Sequence, residues 1–184
     1  MSRRQTLRRQ LGVTLIETLL TVSIAGIVLG AGVPSFGRAL AEARVSAEVD
    51  ALMGHLQLAR ATAIDGGSPT VLCPSADGLT CASDSLWHQG YLLFVDHNRD
   101  RARDADEPVL RHRQGAIDAP VSAKSSTYRR LVRFDVDGSA GGSNLTITLC
   151  DQGAQVAPRA VIVSNIGRPR VSTKAPDGSA LSCG

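Results

Sequence analysis

The chain has 184 residues, 43% hydrophobic and 20% charged, with six aromatics (Phe36, Trp87, Tyr91, Phe94, Tyr128 and Phe134), which excludes collagenous, low-complexity and charge-saturated disordered chains and fits one globular unit. The formal charge of +3 conceals a split: residues 1–12 carry four Arg and no acid, residues 13–107 six Arg against twelve acids, and residues 108–184 ten Lys or Arg against five acids. A C-terminal half so biased points to a polyanion-facing surface at one end of the molecule rather than to a uniformly sticky protein.

Residues 13–33 read VTLIETLLTVSIAGIVLGAGV, 21 residues with one ionisable group. Such a run is long enough to cross a bilayer core as a helix. Arg3, Arg4, Arg8 and Arg9 precede it and favour a cytoplasmic N-terminus with the rest of the chain exported. A secretory signal peptide reads similarly, with Ala25-Gly26-Ile27 or Ala31-Gly32-Val33 as a cleavage site, but the acid Glu17 inside the run argues against it. A carboxylate at that depth needs a partner. Cleavage after Gly12 would leave the Val13 α-amine four residues from Glu17, protonated near neutral pH and able to neutralise the Glu17 of a neighbouring copy.

Gly12-Val13-Thr14-Leu15-Ile16-Glu17 behind a basic leader resembles the processing site of type IV pilins and type II secretion pseudopilins. The resemblance implies cleavage by prepilin peptidase after Gly12, N-methylation of Val13 and an assembly role for Glu17. Val13 stands where the family usually has Phe, and Pro34 falls where these proteins commonly carry a helix-kinking proline.

Beyond Pro34 the apolar positions Val45, Val49, Leu52, Leu56, Ala59 and Ala63 recur at gaps of three and four, with Glu42, Arg44, Glu48, Asp50 and Arg60 off the stripe. This spacing predicts a helix whose stripe packs on a domain, ended by Gly66-Gly67. The chain therefore divides into a leader (1–12), a transmembrane and assembly helix (13–33), the amphipathic half of the same helix (34–66) and a β domain (67–184). From 13 to about 64 the helix would be roughly 78 Å long.

Past the glycines, short apolar runs broken by Gly, Pro, Asp and Ser predict strands at 70–73, 90–96, 108–113, 130–136, 144–150, 159–164 and 170–173. Leu145, Ile147 and Leu149 alternate with Thr146 and Thr148, giving that strand one buried and one wet face. The expected fold is α+β, a long N-terminal helix packed on an antiparallel sheet, pilin-like by the resemblance. None of the four cysteines, Cys73, Cys81, Cys150 and Cys183, shows C-x-x-C spacing, and an exported chain meets an oxidising periplasm. Of the three pairings, Cys73–Cys81 and Cys150–Cys183 are preferred, the first closing a short turn and the second stapling the C-terminal tail to a core strand. Such loops contribute about 2–4 kcal/mol each.

His55, His88, His97 and His112 belong to no metalloprotease, nucleophile-elbow, phosphate-loop or dinucleotide motif, so neither an enzyme nor a cofactor is expected. Asp96, Asn98, Asp100, Asp104 and Glu107 occupy ligand positions 1, 3, 5, 9 and 12 of the EF-hand loop pattern. Arg101 stands at the glycine position, Arg99 and Arg103 bring positive charge, and the flanks read as strands. A solvated hairpin loop with internal Asp–Arg pairing is preferred to a calcium site.

Trp87-His88-Gln89-Gly90-Tyr91-Leu92-Leu93-Phe94-Val95-Asp96-His97-Asn98-Arg99-Asp100, with Glu107-Pro108-Val109-Leu110-Arg111 after it, resembles the W-x-x-G-[WY]-x-x-F-x-D-x-N-x-D…E-x-x-[IL]-R run of the GspH/FimT branch of minor pilins and pseudopilins. Gly167-Arg168-Pro169-Arg170 resembles the G-R-x-R motif of FimT proteins, which act in DNA uptake during natural transformation. In an extended segment Arg168 and Arg170 point to one face, and Pro169 stiffens the backbone between them. Two guanidiniums side by side, with Lys174 and Arg159 nearby, grip phosphate oxygens. Lys124, Arg129, Arg130 and Arg133 extend the patch, with Tyr128 as its one aromatic.

These readings converge on a minor type IV pilin of the FimT kind. The resemblance implies anchoring in the bacterial inner membrane with the domain in the periplasm, or incorporation in the pilus. The expected partners are other pilins, prepilin peptidase and double-stranded DNA bound without sequence preference. The alternatives are a GspH-like pseudopilin of a type II secretion system and a minor pilin that primes assembly without touching DNA.

Overall fold

The computed structural model describes residues 12–183, and for 31–35 the backbone alone. The leader arginines therefore lie outside the described residues. Helix α1 (Leu15–Gly66) begins behind Thr14, whose hydroxyl accepts the Glu17 N–H at 3.4 Å while its carbonyl accepts from Glu17 and Thr18 at 3.1 and 3.2 Å. Thr14 is thus an N-cap, and Glu17, three residues on, places its acid in the first turn where it opposes the helix dipole.

The chain falls into two units, one ending at Arg38 and the other starting at Ala39, and α1 contributes to both. In the first, Val13, Leu15, Ile16, Leu19, Leu20, Val22, Ile24, Ile27, Val28 and Leu29 are all more than half exposed. The hydroxyls of Thr18, Thr21 and Ser23 donate to the carbonyls of Leu15, Thr18 and Leu19, hiding polar groups within an apolar helix. Among the described residues no helix is long and apolar enough to cross a membrane. The run expected to do so closes with 31–33, whose side chains lie outside the description. Residues 15–30 alone make about 24 Å of helix, less than the ~30 Å hydrocarbon core.

In the second unit the stripe from Val45 to Ala63 is buried throughout. The rest of this unit has eight strands: β1 (Thr70–Pro74), β2 (Gly90–Val95), β3 (Val109–Gln114), β4 (Val121–Lys124), β5 (Val132–Phe134), β6 (Leu145–Asp151), β7 (Arg159–Val163) and β8 (Pro169–Ser172). The single sheet expected from the strand pattern is two antiparallel four-stranded sheets, ordered β3-β2-β1-β5 and β4-β6-β7-β8. One core unites the helix stripe with Leu72, Tyr91, Leu93 and Phe134 of the first sheet and Ile147, Leu149, Val161 and Val163 of the second. Each such buried aliphatic side chain contributes about 1.5–3 kcal/mol. The Trp87 indole donates to the Ser125 hydroxyl at 2.9 Å and the buried Thr70 hydroxyl to the Ala59 carbonyl at 2.8 Å, so these two polar groups are partnered within the core.

Both disulfides are formed, Cys73–Cys81 and Cys150–Cys183. The first lies over the far face of the first sheet, where Val71, Cys73, Leu92 and Phe94 form a second cluster beneath Cys81 and Leu131. This cover explains why β1 and β2 are buried on both faces. In the second sheet Leu145, Ile147 and Leu149 join the core, leaving the alternate positions of β6 to the outer face. The outer face of this second sheet carries Arg170, with Arg129 at its rim.

Candidate nucleic-acid interface

The turn before β8 determines how the two arginines are presented. Gly167 has φ +73°, and its N–H donates to the Ser164 carbonyl at 2.9 Å. A Cβ at this position would meet the Gly138 carbonyl oxygen at 1.8 Å. Only glycine fits such a left-handed residue pressed against another backbone. Arg168 follows, its carbonyl accepting the Ser164 N–H at 3.4 Å. Its side chain and that of Arg170 are exposed, and among the described residues neither makes a hydrogen bond or ion pair.

Arg170 pairs in register with Ile162 on β7, and Ile162 with Thr146 on β6. Thr146, Ile162 and Arg170 therefore form a row across the outer face, lining a groove of about 510 Å³ together with Arg129, Asn144 and Pro176. Arg129 donates to the Asn144 side chain and, at 3.0 Å, to its carbonyl, which fixes the guanidinium at the rim. A cleft of about 170 Å³ continues from Arg129 to Arg130, Tyr128 and Arg101. A third, of about 360 Å³, runs from Arg101 and Arg130 to Arg103 beside the Cys73–Cys81 bridge. Arg170, Arg129, Arg130 and Arg101 thus mark successive clefts, and Tyr128, 95% exposed, stands among them.

Lys174 is also exposed, and its backbone is held by the Ser172 hydroxyl, which accepts its N–H at 3.1 Å and donates to its carbonyl at 2.7 Å. The tail after it bridges back at Ala180 and is closed by Cys150–Cys183. Lys124 lies on the opposite edge strand, β4, in a separate groove beneath that tail.

Two residues expected in the patch are turned elsewhere. Arg159 shares strand parity with the core residues Val161 and Val163, so it faces α1, where it pairs with Glu42 and reaches Ser46 Oγ at 3.4 Å. Arg133 pairs with Asp135 at 3.1 Å and is mostly buried. Arg101, by contrast, joins the patch although nothing in its sequence neighbourhood indicates it, because it stands some thirty residues from Arg130 and the two meet only through the fold.

The Asp–Arg pairing expected within 96–107 is not formed. The ion pairs among the described residues are Arg113–Glu48, Arg133–Asp135 and Arg159–Glu42. The loop is instead held by side-chain-to-backbone bonds. Among the described residues no group of three or more His, Cys, Asp or Glu is arranged as a ready metal cage. His55 and His88 are engaged with the backbone carbonyls of Ala51 and Ala123, and His55 also with the Tyr91 hydroxyl at 3.1 Å.

Residues 48–167 match the family of the type II transport protein GspH. The chain belongs to the GspH family. Two crystal structures of the type IV minor pilin FimU of Pseudomonas aeruginosa (strain PAO1) share the fold, each at 20% identity. One has a TM-score of 0.57 and aligns 74% of this chain with 96% of FimU; the other has 0.54, with 72% and 98%. A comparison with curated proteins gives no match. GspH-family proteins are pilin-like structural subunits, and the long helix on antiparallel sheets seen here is that architecture. The GspH match ends at Gly167, so Arg168, Arg170 and Lys174 lie beyond the matched residues.

Proposed function

We propose that this protein is a minor type IV pilin that binds double-stranded DNA without sequence preference during uptake in natural transformation, and that it also takes part in pilus assembly. The observation that carries the reading is the pair Arg168 and Arg170, exposed and without partners on a turn that only glycine at 167 permits. Because the turn and strand already fix the backbone, only side-chain freedom is lost when these guanidiniums meet phosphate oxygens. Arg129 and Arg130 extend the contact along the clefts, and Lys174 flanks it. Phosphate contacts fix position and carry no sequence information, so binding is non-specific, salt-sensitive and weak for a single copy. Arg159 is left out of this contact, since it is already paired with Glu42.

In the same reading, prepilin peptidase cleaves after Gly12 and Val13 becomes the methylated N-terminus. Residues 13–33 anchor the subunit in the inner membrane with its domain in the periplasm, until other pilins pack on the helix in the pilus. The exposed apolar side chains from Val13 to Leu29 support this, since water is an unfavourable neighbour for a face so large and unbroken. Glu17 then pairs with the terminal amine of an adjacent subunit.

A second reading, a minor pseudopilin of a type II secretion system with a purely structural role, is favoured by the family matched over 48–167. The two part in the cell. Deletion of the gene followed by complementation with Arg168→Gln/Arg170→Gln should leave secretion intact and fail to restore DNA uptake. A secretion defect on deletion, or full uptake with the double variant, supports the structural role.

A further inference from the structure

The loop joining β2 and β3 contains a buried acid with no counter-charge. Asp96 is fully buried, its Oδ2 accepts the Arg101 N–H at 3.3 Å, and its Oδ1 has no hydrogen-bond partner. The bond to Arg101 turns the carboxylate into the loop. A buried carboxylate oxygen left without a donor, in a loop with other acids, is a position that a cation would stabilise.

Two other acids of the loop, Glu107 and Asp100, are held by its backbone. Glu107, 3% exposed, folds back so that its Oε1 accepts the His97 N–H at 2.7 Å and its Oε2 the Asp104 N–H at 3.0 Å. Asn98 Oδ1 accepts the Asp100 N–H at 3.0 Å, and Asp100 Oδ1 accepts the Ala102 N–H at 2.7 Å. Arg101 takes the left-handed conformation, φ +67°, at the position that the EF-hand pattern gives to glycine. The arginines do not fill the centre. Arg103 donates to the Leu79 carbonyl at 3.3 Å, Arg101 lines the clefts beside Arg130, and none of Arg99, Arg101 and Arg103 forms an ion pair among the described residues.

We infer that the 96–107 loop binds one calcium ion through Asp96, Asn98, Asp100, Asp104 and Glu107. The cage is not closed as it stands, because the Asn98 amide nitrogen sits between Asp104 Oδ2 at 2.8 Å and Asp100 Oδ2 at 3.0 Å. The ion takes the place of that amide as their common partner and also reaches the orphaned Asp96 oxygen. An all-oxygen donor set of this number suits calcium, whereas magnesium demands a tighter octahedron and keeps its waters. The three nearby arginines weaken the site, placing Kd at about 10⁻⁴–10⁻³ M, the range of extracellular modules.

The test uses the full-length chain in mild detergent, stripped with EDTA and titrated with calcium chloride by calorimetry and by thermal melting. One site per chain is expected, with Tm rising by about 3–5 °C at a calcium concentration ten times Kd. Magnesium at the same concentration should give no comparable rise. Asp100→Asn, at an exposed position, should weaken binding at least about tenfold. Asp96→Asn should abolish the calcium response and, in EDTA, melt no lower than wild type, because it removes a buried charge that has no counter-charge while keeping an oxygen for the Arg101 N–H. If Asp96→Asn does not fold, Asp100→Asn decides. The inference is overturned by the absence of heat and of any Tm shift up to about ten times the weakest expected Kd, by an equal response to magnesium, or by wild-type calcium affinity in Asp100→Asn.

Discussion

Gly167 rests on the carbonyl of Gly138 so closely that a Cβ at 167 would lie 1.8 Å from its oxygen, and the same oxygen accepts the Arg60 Nε–H at 2.9 Å. One carbonyl therefore ties α1, the turn after β5 and the turn that leads into Arg168. The presentation of the arginine pair is linked through it to the helix.

Replacing Gly167 by Ala should lower stability by about 2–4 kcal/mol, combining a left-handed side chain with an overpacked contact. Denaturant unfolding measures the loss. DNA affinity should fall as well, even though both arginines are still present.

The helix stripe is the largest contribution to the core. Leu56→Ala should cost about 2–5 kcal/mol, since Leu56 is wholly buried in the core that joins α1 to residues of both sheets. Urea melts of the two chains, compared at equal slope, give the value.

The bridge between Cys150 and Cys183 closes a loop with a sequence separation of 33. Removing it as Cys150→Ala/Cys183→Ala should destabilise the domain by about 3–4 kcal/mol through the freed chain entropy. Chemical denaturation of the double variant under oxidising conditions tests this.

Asp77 holds the turn beneath the Cys73–Cys81 bridge, its Oδ1 accepting the Leu79 N–H at 2.8 Å and the Thr80 N–H at 3.0 Å. These bonds, that from the Thr80 backbone foremost, hold its carboxyl well below the usual carboxylate range. A depressed folded-state value stabilises the fold above the unfolded-state value near 4, and that contribution is lost as the pH falls through the folded one. The Tm advantage of wild type over Asp77→Asn should therefore hold at neutral pH and shrink as the solution is acidified below pH ~4. A constant advantage down to strong acid would contradict the assignment.

The helix was legible because Val45 to Ala63 keep gaps of three and four without interruption, and every one of those residues is buried. Seven of the eight strands were legible to within two residues at each end. β4 was not, since Val-Ser-Ala-Lys is short and its pairing partner β6 lies some twenty residues away. The stretch read as a strand at 130–136 shortens to 132–134 because Asp135 to Ser139 close a turn, with the Asp135 N–H donating to the Ser139 carbonyl at 2.8 Å. In the site, Arg168 and Arg170 could be read locally. The facing of Arg159 could not: β7 is buried on both sides, so its residues carry no alternation to say which face meets the helix. The contribution of Arg101 depends on a contact between distant loops.

The most direct test of the account is a salt-titrated duplex-DNA binding assay on residues 39–184. Wild type should bind with affinity falling linearly in log salt. Arg168→Gln/Arg170→Gln should lose affinity and about two units of slope, while Arg159→Gln keeps both. No binding at low salt, or a slope indifferent to Arg168 and Arg170, would contradict the proposed DNA contact and leave the protein as a structural pilin-like subunit.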